Sequence, residues 1–373
     1  MGNNKVCHLT TVHPPFDVRI FHKECKSLVD ASYETVMIVQ NYADESRAGI
    51  RIKALSTAGN RWDRITHLPW QGLKMVIKEN PALCHFHDPE LIPVGILMKL
   101  MGIKVVYDVH EDYPRSLLSS DRTWIPAWCR GIASRCVSLF EWLGVSLFDG
   151  IIAATPAIAK RFPPQKTITL QNYPILDELS SESSLPYRDR LPMLTYTGVI
   201  SLLRGIRELI QALNFLPKNL ESKLLLAGKF DSHQFEQEVR QLPGWKHVDF
   251  KGLLSRKEVA DLFGQAKVGL VVFHPIPNHV EAQPNKLFEY MSAGIPVVAS
   301  DFPLWREIIG NTDCGLLVDP LYPEKIAEAI KWLLENPDEA EAMGKRGKQA
   351  VEGKYNWDIE KKKLLTFYEK ILS

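Results

Sequence analysis

Short β-branched runs alternate with amphipathic stretches along the whole chain, and no other feature restricts its fold as much. KVCHLT (5–10), ETVMIVQ (34–40), ALCHFH (82–87), KVVYDV (104–109) and GIIAAT (150–155) read as strands. Residues 20–31, 90–101 and 156–162 between them carry helical patterns. Strands separated by helices cannot close as hairpins, so they pair in parallel through crossover connections. The stretch LDELSSESSLPYRDRLP (176–192) interrupts this order; it is polar, serine-rich and broken by Pro186 and Pro192, which marks a linker. The pattern then restarts with MLTYTG (193–198), KLLLAG (223–228), HVDFKG (247–252), VGLVVF (268–273), IPVVAS (295–300) and GLLV (315–318). Helices are expected to begin near Arg204, Ser232, Ser255, Pro284, Pro303 and Pro323. The expected fold class is α/β, with two tandem doubly wound parallel sheets of Rossmann-like type. The first domain is placed at 1–178, the linker at 179–191 and the second domain at 192–353.

At 373 residues the chain is long enough for two such cores. Its net charge of +1 gives no reason to expect nucleic acid as a partner. The six cysteines (Cys7, Cys25, Cys84, Cys129, Cys136, Cys314) form no Cys-x-x-Cys pair and are expected reduced and buried. The N-terminus lacks the basic start and apolar core of a signal peptide. Gly2 is followed by Val6, where myristoylation wants a hydroxyl residue. With no apolar run of membrane-spanning length either, the expected location is cytoplasmic, with the inner face of the plasma membrane as an extension of it.

Doubly wound sheets bind ligands beyond the carboxyl ends of their strands, and two facing sheets would form a cleft there. Neither first strand leads into G-x-G-x-x-G, which disfavours a dinucleotide redox enzyme. A Walker lysine loop, a Cys/His metal cluster and a G-x-S-x-G elbow are also missing from the sequence.

The densest constellation is VEAQPNKLFEYMSAGIPVVASDFP (280–303). Glu281 and Glu289 stand eight positions apart, with Pro284 suited to the first turn of a helix between them. Glu281 would then precede the helix, beside backbone N–H groups able to hold an anion, and Glu289 would lie inside it. Carboxylates accept hydrogen bonds from paired hydroxyls strongly, so the pattern suits a ligand carrying both phosphate and hydroxyls. By residue type alone both glutamates would be solvated surface charges. A second constellation, YTGVISLLRGIRELIQAL (196–213), ends a strand at Gly198 and brings Arg204 to a helix mouth, where a cation meets an arriving diphosphate.

These motifs resemble the family-four retaining glycosyltransferases, the glycosyl transferases group 1, of the GT-B fold. The resemblance covers essentially the whole chain and is densest over 193–320. It implies that Glu289 binds the donor ribose and that Glu281 contacts the transferred sugar. Part of the family keeps a P-N-K-L-F-E-Y form without the first glutamate, and this chain carries Gln283, Pro284, Asn285 and Lys286 there. Those residues are taken as donor contacts. The family's arginine after the first glycine is Val199 here and its lysine is Arg204, which leaves Arg204 as the main phosphate clamp. Lys229, after the strand ending LLLAG, is a further phosphate candidate. In KVVYDVHEDYP (104–114) the resemblance places His110 against the transferred sugar, with Asp108, Glu111 and Asp112 able to orient it. The family's glycine-rich loop after the first strand is replaced by TTVHPPFDVRIFHKE (10–24), with His13, Asp17 and Arg19. Arg19 is taken either as a substitute phosphate cation or as a tie to Asp17. His87 and Asp88 of FHDPEL are assigned structural or acceptor-side roles.

The implied activity is transfer of a hexose-type sugar from a UDP- or GDP-linked donor to a glycan or lipid-linked acceptor, as in cell-surface polysaccharide biosynthesis. The sequence contains no Asp-x-Asp pair, so metal-independent catalysis is expected, with no cofactor beyond the nucleotide-sugar substrate. Alternatives are a nucleotide-sugar epimerase of the same fold and a catalytically degenerate sugar-nucleotide-binding subunit. RTWIPAWCRGIASRCVSLFEWLGVSLF (122–148) has two readings. One is a mostly buried helix, which is favoured. The other is a surface-lying helix with Trp124, Trp128, Arg122, Arg130 and Arg135 making peripheral membrane contact. Residues 354–373 form an amphipathic helix, which the resemblance returns to the first domain.

Overall fold

The structure is a computed structural model that describes residues 4–118, 126–179 and 185–373. It divides into one unit of residues 1–172 and 358–373 and a second of residues 173–357.

The first unit is built on an eight-stranded sheet. Its strands are β1 (Lys5–Leu9), β2 (Glu34–Gln40), β3 (Glu45–Arg47), β4 (Ile50–Leu55), β5 (Leu83–Phe86), β6 (Lys104–Val109), β7 (Gly150–Ala153) and β8 (Thr167–Thr169). They lie in the order β3-β4-β2-β1-β5-β6-β7-β8, parallel except for the β3–β4 hairpin. The second unit holds β9 (Met193–Thr197), β10 (Lys223–Ala227), β11 (Val248–Gly252), β12 (Val268–Val271), β13 (Val297–Ser300) and β14 (Gly315–Val318). Their order is β11-β10-β9-β12-β13-β14, all parallel. Helices cover both faces of each sheet, so β1, β5, β7, β12 and β13 are buried along nearly their whole length, as parallel strands must be.

Every strand read from the sequence is present. Not anticipated are β3, which is polar and exposed, β4, and β8, which is only three residues long. The helix expected at 20–31 begins as a π-helix, Val18–Cys25, before an α-helical turn, Lys26–Asp30. A π-helix advances about 4.4 residues per turn, so positions 19, 23 and 24 share one face. Arg19, Lys23 and Glu24 are all buried there.

Two expectations need correction. The segment placed as a linker at 179–191 belongs to the second unit: Leu179 and Tyr187 lie in its hydrophobic core, and Arg190 donates to the carbonyl of Ala266 at 2.8 Å. Residues 180–184 lie outside the described residues. The polar composition of the segment hid three anchoring side chains, Leu179, Tyr187 and Arg190.

The helix Ala127–Leu147 is not mostly buried. At 100° per residue, Ser134, Glu141 and Val145 share one face and Trp128, Ile132, Leu139 and Leu143 the opposite one. The first face turns inward: Ser134 donates to the Pro114 carbonyl at 2.8 Å, and Tyr107 donates to Glu141 at 3.3 Å. The second face, with Phe140 and Trp142 at its flanks, is exposed. Arg122 and Trp124 lie outside the described residues. No helix among the described residues is long and apolar enough to cross a membrane.

Where β9 and β10 end, two glycines meet. Gly228 has φ +141°, and a Cβ there would stand 1.7 Å from the Gly198 carbonyl oxygen. Gly252 also has positive φ, yet nothing lies within 4 Å of its would-be Cβ. Gly252→Ala should therefore cost only the left-handed backbone, about 1–2 kcal/mol. Gly228→Ala adds a backbone clash and should cost about 4 kcal/mol or more. Equal denaturation midpoints for the two variants would contradict this account.

Candidate active site

In the second sheet the chain leaves β9 toward β10 on one side and reaches β12 on the other, so the topological switch point lies between the carboxyl ends of β9 and β12. Gly198 follows β9 with φ +122°. A short 3₁₀ turn, Leu202–Arg204, is capped by the Ser201 hydroxyl and closed by Gly205 at φ +70°. A Cβ on Gly205 would stand 1.9 Å from the Val272 carbonyl oxygen, so this turn must press directly onto the end of β12.

That close approach brings two cations together. The Arg204 guanidinium lies 4.2 Å from the centre of the Phe273 ring. Lys286, in the first turn of the helix Asn285–Ser292, places Nζ 5.8 Å from the same ring and 5.3 Å from the Tyr196 ring. A Cβ on Gly198 would lie 2.7 Å from Lys286 Nζ, so glycine there makes room for the ammonium. Among the described residues neither Arg204 nor Lys286 forms an ion pair. Burial pushes the Lys286 pKa down to about 8; the Arg204 charge acts the same way and Glu289 opposes both. Burial likewise lowers Arg204. Two like charges enclosed over one aromatic ring repel, and an arriving anion would relieve that repulsion.

Glu289 lies one turn further along the same helix and is not a solvated charge. Its Oε1 accepts from Arg256 Nη1 at 2.8 Å. Arg256 also forks onto Glu178, at 3.0 and 2.9 Å. Burial disfavours its charge, but the two carboxylates outweigh burial and raise its pKa. The sequence reading missed this arginine. Its local signal was legible, since Arg256 opens a helix through the Ser255–Glu258 capping box. Its partners at 178 and 289 were not.

Pro284 is the N-cap of the Asn285–Ser292 helix rather than a residue of its first turn. Glu281 and Asn285 are exposed, Gln283 is half-buried, and the Trp305 indole donates to the Ala282 carbonyl at 2.7 Å, holding this loop. Lys229 is exposed beyond β10.

In the first unit the switch point lies between β1 and β5. His110 follows β6 and its Nε2 lies 2.9 Å from Asp108 Oδ2. Burial disfavours the Asp108 carboxylate, yet Arg19 and His110 hold its pKa well below the usual range. The carboxylate therefore has no proton to give, and His110 Nε2–H donates to it, leaving Nδ1 as the free ring position. His87 Nδ1 donates to the same oxygen at 3.2 Å.

The reading of Arg19 as a phosphate cation is corrected. Arg19 is 4% exposed and bonds Asp108 through Nε at 3.0 Å and Nη2 at 2.9 Å, and the Leu170 carbonyl at 2.8 Å. Asp17 caps the π-helix by accepting from the Arg19 and Ile20 amides; it does not hold the Arg19 side chain. The winding of that helix turned a residue expected at the surface inward. Asp88 fastens the loop after β1, accepting from the Thr11 amide at 2.6 Å and the Thr10 hydroxyl at 2.8 Å. Burial opposes charge on His13, but Asp88, 3.3 Å away, outweighs it and raises the His13 pKa. His13, His87, His110, Arg64 and Tyr113 line a pocket of about 340 Å³.

Residues 180–350 match the model of the glycosyl transferases group 1 family. An uncharacterized glycosyltransferase from Methanocaldococcus jannaschii is 27% identical over 194 residues, covering 52% of this chain and 48% of its own, about half of each. Among solved structures, sucrose-phosphate synthase from Thermosynechococcus elongatus superposes with a TM-score of 0.78 at 18% identity over 98% of both chains. HepE from Anabaena, in complex with UDP-glucose, gives 0.73 at 14% identity over 98% of this chain and 99% of its own. The fold is thus that of the GT-B glycosyltransferases, and residues 180–350 carry the match to the glycosyl transferases group 1 family.

Proposed function

We propose that this chain is a retaining, metal-independent glycosyltransferase that moves a hexose-type sugar from a UDP- or GDP-linked donor to a glycan or lipid-linked acceptor. The observation that carries the reading is the pair Arg204 and Lys286, enclosed over Phe273 without a carboxylate partner among the described residues. The donor diphosphate takes the place of that missing partner.

In this reading Glu289, oriented by Arg256, accepts hydrogen bonds from the ribose hydroxyls. The bond between the anomeric carbon and the β-phosphate oxygen breaks, and negative charge develops on that oxygen, where Arg204 and Lys286 stabilise it. The acceptor hydroxyl attacks from the same face. Its proton passes to the departing phosphate oxygen, which leaves the nucleoside diphosphate as product. His110, with Nε2–H committed to Asp108, presents Nδ1 to the transferred sugar. Gln283, Asn285 and Lys229 complete the donor contacts, and Glu281 keeps its role at the sugar. The exposed apolar face of the Ala127–Leu147 helix supports a peripheral contact with the membrane that would hold a lipid-linked acceptor; in this reading the chain works at the inner face in polysaccharide assembly.

Thermal denaturation against a panel of UDP- and GDP-sugars tests the reading, because a bound donor raises the midpoint by mass action. No shift with any donor, and no sugar transfer or slow hydrolysis, would overturn it. Arg204→Ala should lower kcat about 10²–10³-fold. Glu289→Gln and Arg256→Ala should each weaken donor binding about 10–100-fold, because both disrupt one ribose anchor. Wild-type donor affinity in the Arg256 variant would separate that residue from the site.

The pH profile has a definite sign. Only protonated Lys286 attracts phosphate, so donor affinity should be constant below about pH 8 and fall above it. Lys286→Arg should remove the break, and a break that persists in that variant belongs to another group. Transfer rates measured with and without a chelator test the metal-independent step, and equal rates are expected.

A further inference from the structure

Beneath the surface of the first unit lies a cluster that the transfer chemistry does not use. His8 on β1 and His85 on β5 are direct partners in the parallel ladder, and His87 follows two residues on, which puts all three rings on one face of the sheet. Glu24 reaches the same place from the inner face of the π-helix. His8, Glu24 and His85 are completely buried and His87 is nearly so.

The polar atoms here are poorly paired by protein alone. Neither carboxylate oxygen of Glu24 has a hydrogen-bond partner among the described residues, nor does His85 Nε2. Arg19 Nε lies 3.0 Å from Glu24 Oε1, but its N–H is directed to Asp108. Arg19 thus gives this buried carboxylate an ion pair but no hydrogen bond, and a bound cation would coordinate the oxygens left unsatisfied.

We propose that His8, Glu24, His85 and His87 form a closed structural site for one divalent transition-metal ion, with zinc best matched to the ligand set. One ligand atom from each residue falls in a cluster no more than 4.8 Å across. His8 Nδ1 lies 3.0 Å from His87 Nε2 and 3.9 Å from Glu24 Oε2, and the latter two are 4.0 Å apart. Ligands bound tetrahedrally to zinc at about 2.0–2.1 Å stand about 3.3 Å from one another, so the Glu24 separations must close by about 0.6–0.7 Å, and the widest in the cluster by up to about 1.5 Å, as the shell forms.

The outer contacts agree with the inner ones. His87 turns its other nitrogen, Nδ1, to Asp108 at 3.2 Å. His85 turns Nδ1 to the Tyr368 hydroxyl at 2.7 Å, and the same hydroxyl lies 3.5 Å from His8 Nε2. Each imidazole therefore has an oxygen partner on the ring nitrogen that would face away from the ion, the arrangement that fixes the tautomer of a metal-bound histidine. Three imidazoles and a carboxylate suit zinc, and four protein ligands leave no open position for substrate. The ion is structural and separate from the donor chemistry proposed above, and complete burial shields it from a chelator.

Because the site is closed, the metal enters during folding. The full-length chain expressed in zinc-supplemented medium and desalted should carry about one zinc per chain by elemental analysis. Growth with cobalt instead should give the visible absorption of a four-coordinate cobalt centre. Glu24→Gln keeps the shape and removes the charge, and should lower zinc content at least about 10-fold. A higher denaturation midpoint in wild type from zinc-supplemented than from zinc-depleted medium, with no such difference in Glu24→Gln, separates metal loss from a folding defect. Wild type without zinc or a cobalt band overturns the proposal, leaving a hydrogen-bonded histidine cluster with a protonated Glu24. Undiminished zinc in Glu24→Gln overturns it too, by placing the metal elsewhere.

Discussion

Asp108 holds the first unit's site together. It is fully buried on β6, and its two oxygens serve a guanidinium fork and two imidazoles. A carboxylate removed from water in this way is tolerable only because Arg19 supplies a full opposite charge in bidentate geometry. That pairing fixes the rest. It draws the π-helix inward, orients His87, and commits one nitrogen of His110 so that the other is presented. The sheet brings these groups to one end, but the shared carboxylate decides which atoms face which way.

The second unit solves a different electrostatic problem. Its carboxylates are matched, with Glu289 and Glu178 sharing Arg256, while Arg204 and Lys286 remain over Phe273 without an anion among the described residues. In the proposed reading, the groups assigned to the donor hydroxyls are thus pre-paired, and those assigned to its phosphates stay enclosed without an anion. Such preorganisation reduces the reorientation needed when a highly charged ligand arrives.

The α/β architecture was legible because parallel strands covered on both faces must be apolar along their length, and runs such as VGLVVF and IPVVAS cannot be read otherwise. Glycine and proline punctuation also placed Gly198, Arg204 and Lys286 near strand and helix ends. Side-chain direction was not legible. Arg19 seemed to face a ligand because the sequence does not announce a π-helix, and one extra residue per turn rotates it into the core. Arg256 was missed because its partners are 33 and 78 positions away in sequence. The Ala127–Leu147 helix was misjudged because apolar residues are normally sorted inward, and here a sparse stripe including Ser134 and Glu141 makes the inward contacts instead.

The first unit is discontinuous, and that has a consequence for the order of events during synthesis. Leu364, Phe367 and Tyr368 of its last helix are buried, and Gly150 on β7 has no side chain because Phe367 and Ile371 occupy that space. While a ribosome is still making residues 173–357, the earlier part of the chain is already exposed with this groove uncovered. The second unit, made from one continuous stretch, can complete its core first. The first unit therefore cannot complete its core until residues 358–373 have emerged, at the very end of translation.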